Sequence, residues 1–248
     1  MKMAKKPTKT IAVVAKGNVP AGRFLAGTSI PPLEVYHVPE VHPKKPGPWS
    51  AEPDKVSWID PATGSPCIVR RESNGALHGY VGIGPDHPFH GVDYQALPHD
   101  PPIVVHGGVN YSESCEERER PSRSVCHVPA AATTRRHTAS AAAVSRPLGS
   151  RAPSSGSAAS PTTVVDVPDN LWWFGFGCDH VYDIVPDGYQ RALAAETGAS
   201  YRDEAYLVRE TTNLAAQLHA IANGRPMPPL DGDRPGVGLD PFSPTRRA

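Results

Sequence analysis

Proline and glycine limit the regular structure that this chain can form. Among its 248 residues are 29 prolines and 22 glycines. Proline removes a backbone donor and breaks both helices and inner strands. Hydrophobic residues make up 39% of the chain and aromatic residues 7%, so we expect a folded core much smaller than the length permits.

Three segments have compositions that disfavour packing. Residues 1–48 are rich in lysine and proline, residues 130–163 are almost entirely Ala, Ser, Thr, Arg and Pro, and residues 225–248 are again rich in proline. Such segments bury too little apolar surface to offset their ordering entropy. We predict a largely irregular arm with one edge strand at 33–38, a disordered insertion and a disordered tail.

Residues 49–129 and 164–224 are predicted to form the two parts of one α+β domain. Asn74 and Gly75 predict a hairpin, since Asn-Gly supplies the two positive-φ residues of a type I′ turn. Its strands are expected at 66–70 and 76–83, with later strands at 102–111 and, shorter, at 124–129. The glycines within 76–83 predict that another group approaches the backbone closely.

The most apolar stretch is 171–177, where aromatic residues alternate. Trp172, Phe174 and Phe176 fall on one face and Trp173 on the other, which predicts a buried strand. Polar residues follow at its end, namely Cys178, Asp179, His180 and Asp183. A rigid strand would present these side chains at a cleft.

One helix is predicted near the C-terminus, after a possible short helical piece at 189–197. Ser200 and Asp203 form an SxxD capping box, Gly224 and Pro226 end the helix, and leucines recur at helical spacing between them. This apolar stripe is expected to pack on a sheet, or to form a modest dimer seam. The predicted fold is α+β, a small antiparallel or mixed sheet packed by this one helix.

Charge and cysteine content narrow the class of protein. Formal net charge is zero and the pI is near 7.2, so no global basic field attracts nucleic acid. The apolar runs are shorter than the roughly 20 residues of a membrane span or the h-region of a signal peptide. The four cysteines show no CxxC spacing, which argues against a disulfide scaffold. We expect a soluble, cytoplasmic monomer or weak homodimer.

Four segments together resemble a family of uncharacterised proteins from tailed bacteriophages and prophage-bearing bacteria. They are GYVGIGPDHPFHGVDY (79–94), VHGGVNYS (105–112), WWFGFGCDHVYDIVP (172–186) and YRDEAYLVRETTNLAAQL (201–218). The resemblance covers about 68–218 and brings no established activity. It implies recurring positions at His87, Tyr94, His106, Cys178, His180 and Asp183. Gly177 departs from the Asp of the family pattern, and this copy would be impaired if that Asp were a ligand or general base.

These residues suggest a metal-dependent hydrolase. His87 (or His90), His106 and His180 would ligate zinc or another divalent ion together with Asp183 or Asp179, because histidines plus a carboxylate suit Zn²⁺ and an open position would activate water. Asp183 and Cys178 are the catalytic candidates. The substrate-binding candidates are His90, Tyr94 and Trp173.

Other interpretations of the same residues remain open. Cys178 would be a nucleophile if His180 or His106 were its base. The histidines would be structural if they bonded loop carbonyls while Asp183 capped a turn. We therefore predict a phage- or prophage-type accessory protein, either a metal-dependent hydrolase or a non-enzymatic protein that captures a host protein or a small signalling ligand.

Overall fold

One antiparallel sheet and one helix make up the regular structure. A computed structural model of the protein describes residues 19–126, 128, 170–188 and 199–232. Its strands are Glu34–Tyr36 (β1), Lys55–Ile59 (β2), Pro66–Arg71 (β3), Leu77–Ile83 (β4), Tyr111–Ser114 (β5) and Trp172–Gly177 (β6), and its helix is Glu204–Ala222 (α1). The strand order is β1-β2-β3-β4-β6-β5. The predicted α+β fold is confirmed, whereas the expectations for 130–163, 164–167 and 189–197 lie outside the described residues.

The two faces of the sheet bury different residues. Val81, Phe174 and Phe176 face α1 and pack with its leucines, including Leu207 and Leu214. The opposite face carries a smaller cluster around Ile68, Tyr80, Val125 and Trp173. The alternation predicted for the aromatic strand, β6, is therefore confirmed, because successive side chains of a strand point to opposite faces.

The close approach predicted at the β4 glycines occurs at Gly79. A Cβ atom added there would lie 2.4 Å from Thr211 Oγ1 and 2.6 Å from the Phe176 ring. Only a glycine leaves room for α1 and the aromatic ring at this point. The missing side chain thus allows the helix to sit directly on the sheet.

The β3–β4 hairpin forms, but its turn is not type I′. Glu72 N donates to Ala76 O at 2.8 Å, and Gly75 N donates to Glu72 O at 2.9 Å. These bonds enclose residues 73–75 as a three-residue loop, with Gly75 at φ 84°. A three-residue loop needs one left-handed residue at its end, and Gly75 alone supplies it.

The strand predicted at 102–111 is wrong for most of its length, because α1 takes the place of a neighbouring strand. Val104 N donates to Gln217 Oε1 at 2.8 Å, and Gln217 Nε2 donates to Val104 O at 2.9 Å. His106 N donates to Glu210 Oε2 at 3.1 Å. The backbone is thus satisfied by helix side chains, and pairing begins only at Tyr111. The short strand predicted at 124–129 is likewise absent from residues 124–126 and 128.

The helix begins at the predicted position, but its N-terminal cap differs from the predicted capping box. Asp203 is the N-cap, and its carboxylate accepts from Tyr206 N at 2.9 Å. Ser200 instead accepts from Arg202 Nη1 at 2.7 Å and bridges the segment of Asp183. The capping box predicted from Ser200 and Asp203 is therefore wrong, because Ser200 lies before the helix. Gly224, at φ 57°, follows the last turn as expected.

Part of the proline-rich arm belongs to the core. Residues 19–48 are irregular apart from β1, yet Leu25 and Val35 are buried in the cluster beneath α1. Arg23 Nη2 also bonds Glu204 at 2.8 Å. Folded structure therefore extends N-terminal of the boundary predicted at 49. At the other end, Asp231 N donates to Asn213 Oδ1 at 3.1 Å. The first residues of the predicted tail are therefore held against α1.

One disulfide forms in spite of the cysteine spacing. Cys115 and Cys126 are bonded, and Cys67 and Cys178 are buried free thiols. The cysteine spacing argued against a disulfide scaffold, and a single bond forms, between two cysteines 11 residues apart. Their bond closes a loop that packs over β2 and β3, a proximity that sequence spacing does not show. Among the described residues, no helix is long and apolar enough to cross a membrane.

Candidate metal centre

Asp183 is the centre of a buried polar cluster after β6. Its Oδ2 atom lies 2.8 Å from His106 Nε2 and 3.3 Å from His180 Nδ1, and it accepts from His180 N at 3.0 Å. Its Oδ1 atom accepts from Arg202 Nε at 2.7 Å. Asp183 N in turn donates to His180 O at 3.0 Å. The carboxylate therefore holds the 180–183 turn and joins it to His106 and the start of α1. We call His106, His180 and Asp183 the His106 cluster.

Both ring nitrogens of His106 have a hydrogen-bond partner. Nδ1 lies 2.8 Å from Tyr206 Oη, and Nε2 faces Asp183. A carboxylate only accepts hydrogen bonds, so Nε2 carries a proton while no ion replaces it. The side chain is 1% exposed. His106 is thus a fixed, fully buried member of the cluster.

His180 is the accessible member. Its side chain is 26% exposed, and its ring lies against the backbone of Gly107. A Cβ atom added at Gly107 would fall 2.0 Å from His180 Cε1. Gly107 also has φ 67°, which other residues rarely adopt. The glycine therefore turns the chain after His106 and makes room for His180.

The charge of Asp183 is stabilised within this cluster. Burial opposes its ionisation, but hydrogen bonds from His106 and His180, together with Arg202, outweigh burial and hold the pKa of the carboxyl well below its usual range. Asp183 is therefore an anion at neutral pH. A buried anion beside two imidazoles is a favourable arrangement for a cation.

The His106 cluster offers three donor atoms to a metal ion. One atom from each residue lies within 4.8 Å of the other two. Donors in a tetrahedral zinc site are about 3.3 Å apart, so the hydrogen-bonded pair of His106 and Asp183 would need to separate by about half an ångström. His106, His180 and Asp183 are thus a group that could hold a metal ion.

The remaining predicted ligands do not converge on the cluster. His87 Nε2 lies 2.9 Å from Leu218 O, and its Nδ1 accepts from Phe89 N at 3.0 Å. His90 Nε2 lies 3.0 Å from Asn170 O. Both histidines therefore bond the backbone, and the placement of His87 in the ligand set is corrected.

Two predicted substrate-binding residues lie elsewhere. Trp173 is fully buried on the sheet face opposite α1, where a substrate cannot reach it. Tyr94 begins a short 3-10 helix, Tyr94–Ala96, and its hydroxyl accepts from Gln95 Nε2 at 3.2 Å. Neither residue is in the His106 cluster.

The predicted nucleophile is buried as a neutral thiol. Burial raises the pKa of Cys178 well above its usual value, and the nearby Asp183 charge adds to the effect. Strand β6 ends at Gly177, so Cys178 and His180 lie beyond it and are not brought together on one face of a strand. The interpretation of Cys178 as a thiolate is therefore not supported.

Gly177 does not remove a ligand from the cluster. Phe176 faces α1, so a side chain at 177 would point to the opposite face. A Cβ atom there would lie 2.8 Å from His78 Cε1 and 3.0 Å from Asp179 Oδ1. An aspartate at this position would therefore contact His78 before any member of the His106 cluster.

Three supporting residues were missed by the sequence analysis. Arg202, Tyr206 and Glu210 come from α1 or the residue just before its cap, and they hold Asp183, the His106 ring and the His106 backbone. Their spacing of four residues places them on one side of a helix. That spacing indicates a shared face but does not show what the face contacts.

No family model, no curated protein and no solved structure matches the chain. A functional conclusion therefore rests on the geometry of the described residues.

Proposed function

We propose that the protein binds one divalent transition metal ion, zinc in the first place, through His106, His180 and Asp183. The observation that carries this proposal is the convergence of the three donor atoms from two separate segments within 4.8 Å. Two imidazoles and a carboxylate are the donors that Zn²⁺ prefers. A metal held by three protein ligands keeps a position at which water can be activated for hydrolysis.

The surroundings support a metal site in two ways. A ligating histidine usually donates its second ring N–H to an acceptor, which fixes the ring. Tyr206 Oη, 2.8 Å from His106 Nδ1, is such an acceptor. Arg202 binds Oδ1 of Asp183, which leaves Oδ2 as the ligand atom. Tyr206 and Arg202 would thus orient two of the three metal ligands, His106 and Asp183.

The exposure of His180 supports a role in hydrolysis. The metal would lie beside this partly exposed ring, where a substrate has access, while His106 and Asp183 remain buried beneath it. The activity proposed is metal-dependent hydrolysis by a phage- or prophage-type accessory protein.

The second candidate is a non-enzymatic binding protein. It is favoured by the bonds that engage both oxygens of Asp183 without an ion. In that case the cluster joins the turn at 180–183 to the segment at 105–107, and the protein would act by capturing a host protein or a small ligand. Metal content separates the two candidates.

Zinc content tests the proposed function directly. Purified protein dialysed against zinc and then against zinc-free buffer is expected to retain about one zinc per chain, measured by mass spectrometry of the metal. His180→Ala and Asp183→Asn should lose it. His90→Ala is the matched control, because His90 bonds a backbone carbonyl outside the cluster.

Two outcomes of these experiments would contradict the proposed function. If the wild-type chain retains no zinc, manganese or iron, and His180→Ala alters only its stability, the metal centre and the hydrolase are excluded. If zinc is retained but the wild type cleaves a panel of phosphate esters, carboxylic esters and amides no faster than Asp183→Asn does, the hydrolase alone is excluded.

A further inference from the structure

A second histidine–carboxylate pair lies in the segment that follows β1. His42 Nδ1 is 2.9 Å from Asp54 Oδ1, and the Asp54 side chain is fully buried. Because the carboxylate only accepts, Nδ1 of the ring carries a proton. Among the residues that the structure describes, Nε2 has no hydrogen-bond partner, and in the protonated ring it carries a second N–H that can donate to a ligand.

Asp54 is fixed by two further donors. Val38 N donates to Oδ2 at 2.7 Å, and Arg71 Nε donates to Oδ1 at 2.8 Å. Arg71 is itself fully buried. The carboxylate therefore cannot turn away from His42, and the guanidinium offsets its negative charge. Such support orients an imidazole in one direction.

A cavity of about 400 Å³ opens beside this pair. His42 lines it, with a side chain that is 26% exposed. Three of its lining residues carry basic side chains, His37, His42 and Lys44, and Ser50 adds a hydroxyl. Lys44 donates to Pro39 O, another lining residue. Clefts of about 300–1,000 Å³ hold small molecules.

The lining favours an anion. Its one carboxylate, Asp54, is already bonded to Arg71, His42 and the Val38 amide. Glu52, which also binds Arg71, is not a lining residue. The remaining N–H donors of the Lys44 ammonium and the imidazolium forms of the two histidines are thus available for a group with several acceptor oxygens.

We propose that this cavity binds a small molecule through an oxyanion group, and that a phosphate ester is the class that fits it best. Lys44 supplies a positive charge, and Nε2–H of the protonated His42 ring, which Asp54 orients through Nδ1, donates to the oxyanion. This site is independent of the metal centre and involves none of its residues.

Inorganic phosphate is the probe that tests the cavity. The full chain is first treated with a chelator, so that phosphate cannot bind to a metal, and phosphate is then titrated while the imidazole NMR signals are followed. The signals of His37 and His42 are expected to shift saturably, with those of His90 and His219 unchanged. Acetate should bind more weakly, because it offers fewer oxygens and less charge.

Matched lysine variants decide the outcome. Lys44→Ala should weaken phosphate binding about tenfold or more, the effect of losing a charged hydrogen bond. Lys45→Ala is the control, because Lys45 does not line the cavity and its hydrogen bond from Trp49 Nε1 is made by the backbone carbonyl, which the substitution keeps. His42→Gln should also weaken binding, and if it fails to fold, the lysine pair still gives the answer. No saturable shift in the wild type, or equal losses in Lys44→Ala and Lys45→Ala, would overturn the proposal.

Discussion

Individual buried polar residues decide much of what this chain can do. The His106 cluster could be anticipated because His106, His180 and Asp183 each follow an apolar segment that packs in the core. His87 and His90 looked equivalent in the sequence. Whether a ring nitrogen meets a backbone carbonyl or another side chain depends on loop conformation, which spacing does not encode. For the same reason the supporting roles of Arg202 and Tyr206 were not predictable.

Lys55 is a buried lysine of β2, and its side chain lies on the face of the sheet opposite α1. Its side chain donates to the carbonyls of Pro121 and Cys126. Burial lowers its pKa to about 8, although the charge of Glu34 acts in the opposite direction. The folded protein therefore holds fewer protons than the unfolded chain between pH 8 and the ordinary lysine value of 10.5. Stability from this group is complete above that value and is lost as the pH falls through 8.

Lys55→Met is expected to remove this pH dependence. The free energy of unfolding of the wild type should rise relative to the variant between about pH 8 and 10.5, by up to about 3 kcal/mol over the full titration. Urea denaturation at each pH measures it. Comparing the two proteins cancels the contribution of the tyrosines, which both share. Parallel stability curves would show that Lys55 is not desolvated as described.

The elements show where local pattern and tertiary structure disagree. Strands β3, β4 and β6 were predictable because alternation and aromatic residues agree with the two faces they bury. The segment 102–110 has the same apolar pattern, yet α1 satisfies its backbone through Gln217 and Glu210. Only knowledge of which helix lies alongside could have distinguished the two cases.

Gln217→Ala tests this replacement of a strand by helix side chains. The change removes both hydrogen bonds to the backbone of Val104, which costs about 1–3 kcal/mol at roughly 0.5–1.5 kcal/mol for each bond. Urea denaturation should show that loss, and amide exchange should speed up at Val104. Gln95→Ala, in the exposed 3-10 helix, should be neutral. If both variants were equally stable, Gln217 would not hold this segment.

At the scale of the whole molecule, a disulfide loop covers the side of the sheet away from α1. Arg70 Nη1 bonds Glu116 and the Arg123 carbonyl, and Val125 is buried in the cluster around Trp173. The loop thus packs over β3 as part of the core. Sequence composition gave no sign of this, because 115–126 is dominated by charged residues.

Replacing both Cys115 and Cys126 by serine is expected to lower the free energy of unfolding by about 2–3 kcal/mol, the usual effect of opening a short loop. Thermal or urea denaturation measures it. Reductant should destabilise the wild type by the same amount and leave the double variant unchanged. Equal behaviour of wild type and variant in oxidising buffer would mean that the bond does not form in solution.

The strand order has a consequence for synthesis of the protein. In the described chain, β5 pairs only with β6, and β6 also completes β4. When β5 has emerged from the ribosome but β6 has not, the edges of β4 and β5 that will pair with β6 are therefore both unpaired. Open edges are sites of intermolecular pairing. A nascent chain stalled before residue 172 should thus be the aggregation-prone species, and chaperones should bind it more than the finished protein.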